Sequence, residues 1–263
     1  MPIQGEKYFF IGSLAKGIHI LEALSEHKAL TVSEVARRLD LNRAASHRFL
    51  ATLRELGYVE KDENDRYHLT LKILEMGMKV SAHSEVNRIA RLSMQELSVA
   101  FNETVNLGHF DGSDIFHLDK IDSKEILRMD TSLGSRAPAY CTALGKAILA
   151  FLPPGELDDY LHRTKLKAFT ENTITNKKRL RETLDTVRHK GFSMDNEELA
   201  YGLRCVAAPV FDHNARPSYA ISISGPSTRM TDDRMRRMQS KIPDVCRALS
   251  AKLKGKGSFA HQN

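Results

Sequence analysis

No cysteine framework holds this chain together. Its three cysteines, Cys141, Cys205 and Cys246, are widely spaced, odd in number and form no C-x-x-C pair. That excludes a disulfide scaffold and a zinc knuckle and fits a reducing cytoplasm. No apolar run approaches the roughly 20 residues needed to span a bilayer, and the N-terminus lacks the charged and apolar regions of a signal peptide. Internal repeats and Pro-rich or Gly-Ser hinges are missing as well. What is present is a 263-residue chain, 41% hydrophobic and 27% charged, long enough for two domains with real cores. Its net charge of +6 permits a polyanionic partner without requiring one.

The most informative stretch lies between Thr31 and Gly57. Thr31-Val32-Ser33-Glu34 is a capping box, followed by Val35, Ala36 and Leu39 at helical spacing up to Asp40. Asn42 is an N-cap for a second helix, in which Ala45, Phe49, Leu53 and Leu56 form the expected buried stripe until Gly57 ends it. A turn of about 100° per residue puts Arg43, His47, Arg48 and Arg54 on the other side, with Ala44 and Ala51 between them. Upstream, Ser13 is expected to cap a helix with Leu14, Ile18, Leu21 and Leu24 on one face. Downstream, Tyr58–Lys61 and Arg66–Leu69 read as a hairpin around the turn Asp62–Asp65. Together these predict a winged helix-turn-helix over residues 8–70.

Surface arginines also occur on helical subdomains of enzymes, so charge placement decides. Five arginines stand against one acid from Arg37 to Arg54, whereas residues 1–82 hold 12 Lys+Arg and 11 Asp+Glu. The positive charge is concentrated on the exposed face of the second helix and its surroundings, which predicts DNA binding. Arg43 and His47 are expected at base edges, and Asn42, Ser46, Arg48 and Arg54 at phosphates, with Ala44 allowing close approach. Asp62, Glu63 and Asp65 would repel phosphate, which leaves Lys61 and Arg66 as the wing's contacts.

From Thr70 to about Ser81 the helical pattern continues, so residues 71–83 are expected to form a linker helix. The remainder reads as an α/β (α+β) domain over 84–254. It comprises a helix at Glu85–Phe101, a hairpin of Thr104–Phe110 and Asp114–Ile121, and a strand at Ile126–Met129. Helices follow at about Thr142–Phe151, Gly155–His162 and Lys177–Lys190, then strands at Arg204–Phe211 and Ser218–Ser224. A last helix begins near Asp232, which Pro243 should kink or split, and residues 255–263 read as a disordered tail.

Here a resemblance becomes specific. Gly191, Asp195, Glu198, Cys205, Val206, Ala207, Val210, Phe211 and Asp212 stand at the spacing of the C-terminal signature of the IclR family of bacterial transcriptional regulators. The phrases Gly202–Cys205, Ile221–Pro226, Thr142–Lys146 and Tyr67–Lys72 also resemble that family, over a span from about Leu14 to Leu253. Within it the chain is similar to repressors of acid catabolism, such as the glyoxylate-bypass and ketodeoxygluconate regulators. The resemblance implies a GAF-like antiparallel-sheet effector domain and assembly into homodimers or homotetramers. It also implies an effector pocket lined by Ala143, Leu144, Asp195, Cys205, Ser222 and Ser224. Strand alternation supports part of this: Ser222 and Ser224 share one face, with Ile221 and Ile223 on the other. Hydroxyls, a small thiol and nearby helix-start N–H groups suit a small carboxylate effector, for which Asp195 would receive a hydroxyl or be protonated. Ala143 and Leu144 are bulkier than the glyoxylate regulator's pattern, and Tyr140 would add an aromatic wall, so keto, sugar and aromatic acids all stay open.

The expected function is a ligand-responsive transcriptional regulator, a repressor of a catabolic operon for a small carboxylic acid. The alternatives are an activator of an aromatic-acid pathway and a Cys-dependent enzyme carrying a DNA-binding domain. The enzyme reading lacks a G-x-S-x-G elbow, an H-E-x-x-H helix and any local motif that places a base near Cys205. His109 and His117 could meet across their hairpin as metal ligands, though paired surface histidines explain them as well. Nothing in the pattern requires a cofactor, a metal, a membrane or catalysis.

Overall fold

Helix α1 (Gly12–Ser25) starts without a side-chain cap; Ile11 occupies the N-cap and Ser13 lies inside the helix. Its core face is Ile20 and Leu24, while Leu14 and Ile18 are 61% and 47% exposed. The expected stripe is rotated because Leu14, Ile18 and Leu21 line an open apolar groove with Phe49, Leu56 and Met76. Helix α2 (Val32–Arg38) has its capping box in full: Glu34 N–H donates to Thr31 Oγ1, and Thr31 N–H donates to the Glu34 carboxylate at 2.7 Å. Helix α3 (Arg43–Glu55) is capped by Asn42, whose Oδ1 accepts from Ala45 N–H at 2.7 Å. Gly57, at φ +76°, ends it in a Schellman turn, with Tyr58 N–H on Leu53 O and Gly57 N–H on Arg54 O.

Strands β1 (Val59–Lys61) and β2 (Tyr67–Leu69) pair antiparallel with Glu60 opposite His68, and Leu30 bridges to Tyr67 on the other edge. Asp62 Oδ1 accepts the N–H groups of Asn64 and Arg66 and so shapes the wing turn. Beneath lies a small core around Ile20, Leu24, Val35, Leu50 and Tyr67. Helix α4 (Leu71–His83) follows at once and closes the end of α3. Thr70 Oγ1 donates to Gly57 O at 2.6 Å and Lys72 Nζ to Leu56 O at 2.7 Å, with the ammonium 4.7 Å from the Tyr58 ring centroid.

This computed structural model describes residues 9–257, and the chain divides into two units between His83 and Ser84. Residue 8, the expected first residue of the winged helix, and residues 258–263 of the expected tail lie outside the described residues.

In the second unit, helix α5 (Glu85–Phe101) leads into the hairpin β3 (Thr104–Phe110) and β4 (Asp114–Ile121), with a register shift at Leu107/Gly108. The strand expected at Ile126–Met129 does not form. Ile126 is 99% exposed, and the carbonyls of Leu127 and Met129 are taken by side chains, Arg229 and Thr104, instead of a ladder. The strand that borders β4 is β5 (Arg136–Pro138). A 3-10 turn at Ala139–Cys141 leads into α6 (Ala143–Leu149), capped by Thr142, and α7 (Pro154–Arg163) and α8 (Lys177–Lys190) follow. Strand β6 (Ser193–Asn196), which the sequence reading did not contain, precedes β7 (Leu203–Val210), β8 (Tyr219–Pro226) and α9 (Asp232–Gly257). Pro243 does not split α9, which runs past residue 254.

The six strands form one antiparallel sheet in the order β5-β4-β3-β8-β7-β6. Val105, Leu107, Ile221 and Ile223 pack toward α5 and α9, and Ile115, Cys205, Ala207 and Ala220 pack toward α6, α7 and α8. Each face is therefore covered by helices, and polar side chains on the inner strands are buried unless a cavity receives them.

Candidate functional site

The exposed arc of α3 carries Arg43, Ala44, His47, Arg48 and Arg54, while Ala51 is half-buried. The buried stripe is Ser46, Leu50 and Leu53. Ser46 is fully buried and its hydroxyl donates to Asn42 O at 3.1 Å, so it is not available to a phosphate as expected. The register of the stripe explains the error: Leu56, assigned to the core by its spacing, is 52% exposed, and Leu50 takes its place. Asn42 Oδ1 is committed to the cap, leaving its amide N–H groups free to donate.

The wing's two cations are engaged within the first unit. Lys61 Nζ lies 2.5 Å from Asp65, and Arg66 donates to Ala29 O at 2.8 Å with Glu34 at 3.7 Å. Both wing cations therefore already have partners within their own unit.

In the second unit, Ala143, Leu144, Asp195, Cys205, Ser222 and Ser224 all line one cavity of about 40 Å³ on the α6 side of the sheet. Strand register brings them together: Asp195 faces Cys205, Cys205 faces Ser224, and Ser224 faces Thr104 across successive ladders. Asn106, His117, Thr131 and Thr142 line the same cavity and were not anticipated. Their only sequence signal is alternation: Asn106 lies opposite Ser222, and His117 is two residues from core Ile115. Asn106 Nδ2 reaches the Ser224 and Ser222 hydroxyls at 3.3 and 3.5 Å, and the two hydroxyls are 3.3 Å apart.

Tyr140 does not supply an aromatic wall. It is buried among the helices of that face, and its hydroxyl donates to Lys167 O at 2.8 Å. His109 and His117 do not meet either. His109 is paired with Phe116 and His117 with Gly108, so they point to opposite faces; His109 Nδ1 is 2.9 Å from Ser218 O.

Burial dominates the electrostatics. Asp195 is 1% exposed and burial pushes its carboxyl up to about 7, although Oδ1 accepts the Glu198 N–H at 2.7 Å. Behind it Glu198 is ion-paired with Lys146, both buried, and burial raises the Glu198 carboxyl as well. One cation against two carboxyls in a dry setting favours a proton on one of them. His117 is held neutral, its pKa lowered to about 4 by desolvation. Burial raises the Cys205 thiol above its ordinary range, the opposite of what a thiolate nucleophile requires.

A cationic helix presented by a winged helix-turn-helix, joined in one chain to a unit that closes on a polar-lined cavity, is the plan of a one-component transcriptional regulator. Comparison with known proteins agrees in both halves. The model described as IclR helix-turn-helix domain matches residues 13–63, and the one described as Bacterial transcriptional regulator IclR C-terminal matches residues 78–251. The chain belongs to the IclR family of bacterial transcriptional regulators, and with it goes binding of operator DNA and of effector ligands. Among relatives, it is 37% identical over 244 residues to the HTH-type transcriptional regulator KdgR of Escherichia coli (strain K12), covering 92% of this chain and 93% of the relative. It is 33% identical over 229 residues to the Transcriptional repressor IclR of the same organism, covering 86% and 84%. The crystal structure of the Thermotoga maritima IclR matches with a TM-score of 0.75 and 32% identity, over 93% of this chain and 100% of that one. The family is one of transcriptional regulators. Among the described residues, no helix is long and apolar enough to cross a membrane.

Proposed function

We propose that this chain represses a catabolic operon for a small carboxylic acid, which it senses in the cavity on the α6 side of the sheet. The observation that carries this reading is the convergence of Asp195, Cys205, Ser222 and Ser224, from three different strands, on one cavity. Buried hydroxyls and a carboxyl able to hold a proton at neutral pH suit a carboxylate ligand, since a protonated Asp195 donates where an ionised one repels. The name of the Escherichia coli repressor supports the sign of regulation. With Tyr140 turned away, the aromatic-acid alternative loses the residue that supported it.

On DNA, Arg43 and His47 reach base edges, Ala44 permits close approach, and Asn42, Arg48 and Arg54 hold phosphates. Each good bidentate base contact is worth about 1–3 kcal/mol of discrimination, too little from one α3 to select a site in a genome. Two copies in a homodimer, reading an inverted repeat, meet that need.

Fluorescence anisotropy against the DNA upstream of the chain's own gene and against a scrambled duplex, at two salt concentrations, tests the proposal. Tight binding to the native duplex alone, released by a carboxylic acid, is the expected result. Equal, salt-labile binding to both duplexes and no response to any acid would refute it.

A further inference from the structure

Most polar atoms around the cavity are already paired. Ser222 and Ser224 bond to each other and to Asn106 Nδ2, Thr142 Oγ1 accepts Gly145 N–H while donating to Pro138 O, and Asp195 Oδ1 accepts Glu198 N–H. Two buried atoms of wall residues are not: Asn106 Oδ1 and His117 Nδ1 are sealed from solvent and have no hydrogen-bond partner among the described residues. They sit on adjacent strands, Asn106 on β3 and His117 on β4, at the end of the cavity away from Asp195's strand. A buried polar atom without a partner is costly, and one that lines a cavity is matched by what the cavity receives.

One kind of group can answer both atoms. With Nδ2 on the serine hydroxyls, the remaining end of the Asn106 amide is a carbonyl, which only accepts. Desolvation keeps His117 neutral, so its Nδ1 accepts or donates according to the tautomer, and a hydroxyl, which does both, can match it in either form. A carboxylate or ketone oxygen offers nothing to the Asn106 carbonyl, whereas a hydroxyl offers its hydrogen there and can still pair with the imidazole. The wall around them, Ile115, Met129 and Ala137, holds no further charge and no aromatic ring, which disfavours an ammonium donor. Met129 and Thr131 lie in the stretch 122–135, which has no helix or strand, and the unbranched Met129 side chain can give way to a ligand larger than the present 40 Å³.

We infer that Asn106 and His117 form a hydroxyl-reading end of the cavity, so that the effector is an aliphatic polyhydroxy acid and not an unsubstituted keto acid. This rests on the reading of the cavity as the effector site. The test is isothermal titration of the full-length protein with glycerate, threonate, xylonate and gluconate, each against the 2-oxo acid of the same carbon number without further hydroxyls. At least one polyhydroxy acid should bind ten-fold or more tightly than its oxo counterpart. His117→Phe should reduce that ratio toward one without weakening the oxo acid, and Asn106→Leu should do the same. His117→Gln, which keeps an acceptor, should retain the preference and covers the case in which the Phe variant does not fold. Equal or tighter binding of the oxo acids, or a preference that His117→Phe leaves intact, would overturn the inference while leaving the cavity as the site. Binding of neither class, or binding indifferent to Ser222→Ala, would overturn both.

Discussion

Arg43 and Arg48 lie on the same exposed helix but on different sides of the Ala44–Ala51 strip, and their expected roles separate in a measurement. Arg43→Ala should cost about 1–3 kcal/mol on the cognate duplex and little on a scrambled one, which lowers specificity. Arg48→Ala should weaken both duplexes alike and reduce the salt dependence by about one ion. Equal losses from both variants on both duplexes would show that neither reads a base. Asp195 gives a prediction of another kind. Folding raises its pKa from 3.8 to about 7, so between those values the folded chain holds a proton that the unfolded chain has released. Its contribution to stability therefore falls as pH rises through that window, by at most about 1.4 kcal/mol per pH unit, and is flat above it. The difference in melting temperature between wild type and Asp195→Asn should drift against the wild type from pH 5 to pH 7. A difference that is constant with pH would mean that Asp195 is ionised in the fold. The six cavity residues named from the sequence were legible because the resemblance holds them in three short stretches, the signature around Asp195 and Cys205 and the phrases Thr142–Lys146 and Ile221–Pro226. Asn106 and His117 were not, because strands far apart in the chain bring them to the wall and no local pattern marks them.

At the scale of the element, Gly145 has a specific duty. A Cβ there would fall 2.1 Å from Ala139 O and 2.3 Å from Ala139 Cα, both backbone atoms of the 3-10 turn that leads into α6. Neither can move without dismantling that turn, so Gly145→Ala should cost more than the about 1–3 kcal/mol of ordinary overpacking. Gly155→Ala, where a Cβ meets nothing within 4 Å, should leave thermal denaturation nearly unchanged. Similar effects of the two would contradict the packing described. Helices with a strong local start were readable: the Thr31 capping box and the Asn42 cap both form as read, each side chain accepting from the backbone three residues on. Elements that depend on partners were not. Strand β6 is four residues long and exists because β7 offers it an edge, and Ile126–Met129 has strand-like residues but no neighbour. On α1 and α3 the periodicity was right and the facing side wrong, because Leu14, Ile18 and Leu56 satisfy a helical stripe while lining an open groove.

For the whole molecule, regulation is a coupling between two ligands on one chain. An acid that loosens operator binding ten-fold, about 1.4 kcal/mol, must bind the DNA-bound protein ten-fold more weakly than the free protein. Titrating the acid with and without saturating operator measures both sides of that cycle. Unequal factors would mean that the acid acts on a further equilibrium, such as association of the copies. How such a signal could enter the reading helix follows from the way α3 ends. Its Schellman turn closes Leu53 O and Arg54 O, but Leu56 O is held by Lys72 and Gly57 O by Thr70 at the start of α4. The last turn of α3 and the first turn of α4 therefore share their bonds and cannot fray separately. In amide exchange the two should open as a single unit. Mechanically they are a joint with two bolts: loosening either one, by Thr70→Val or Lys72→Ala, should speed amide exchange in the last turn of α3 and the first turn of α4 together.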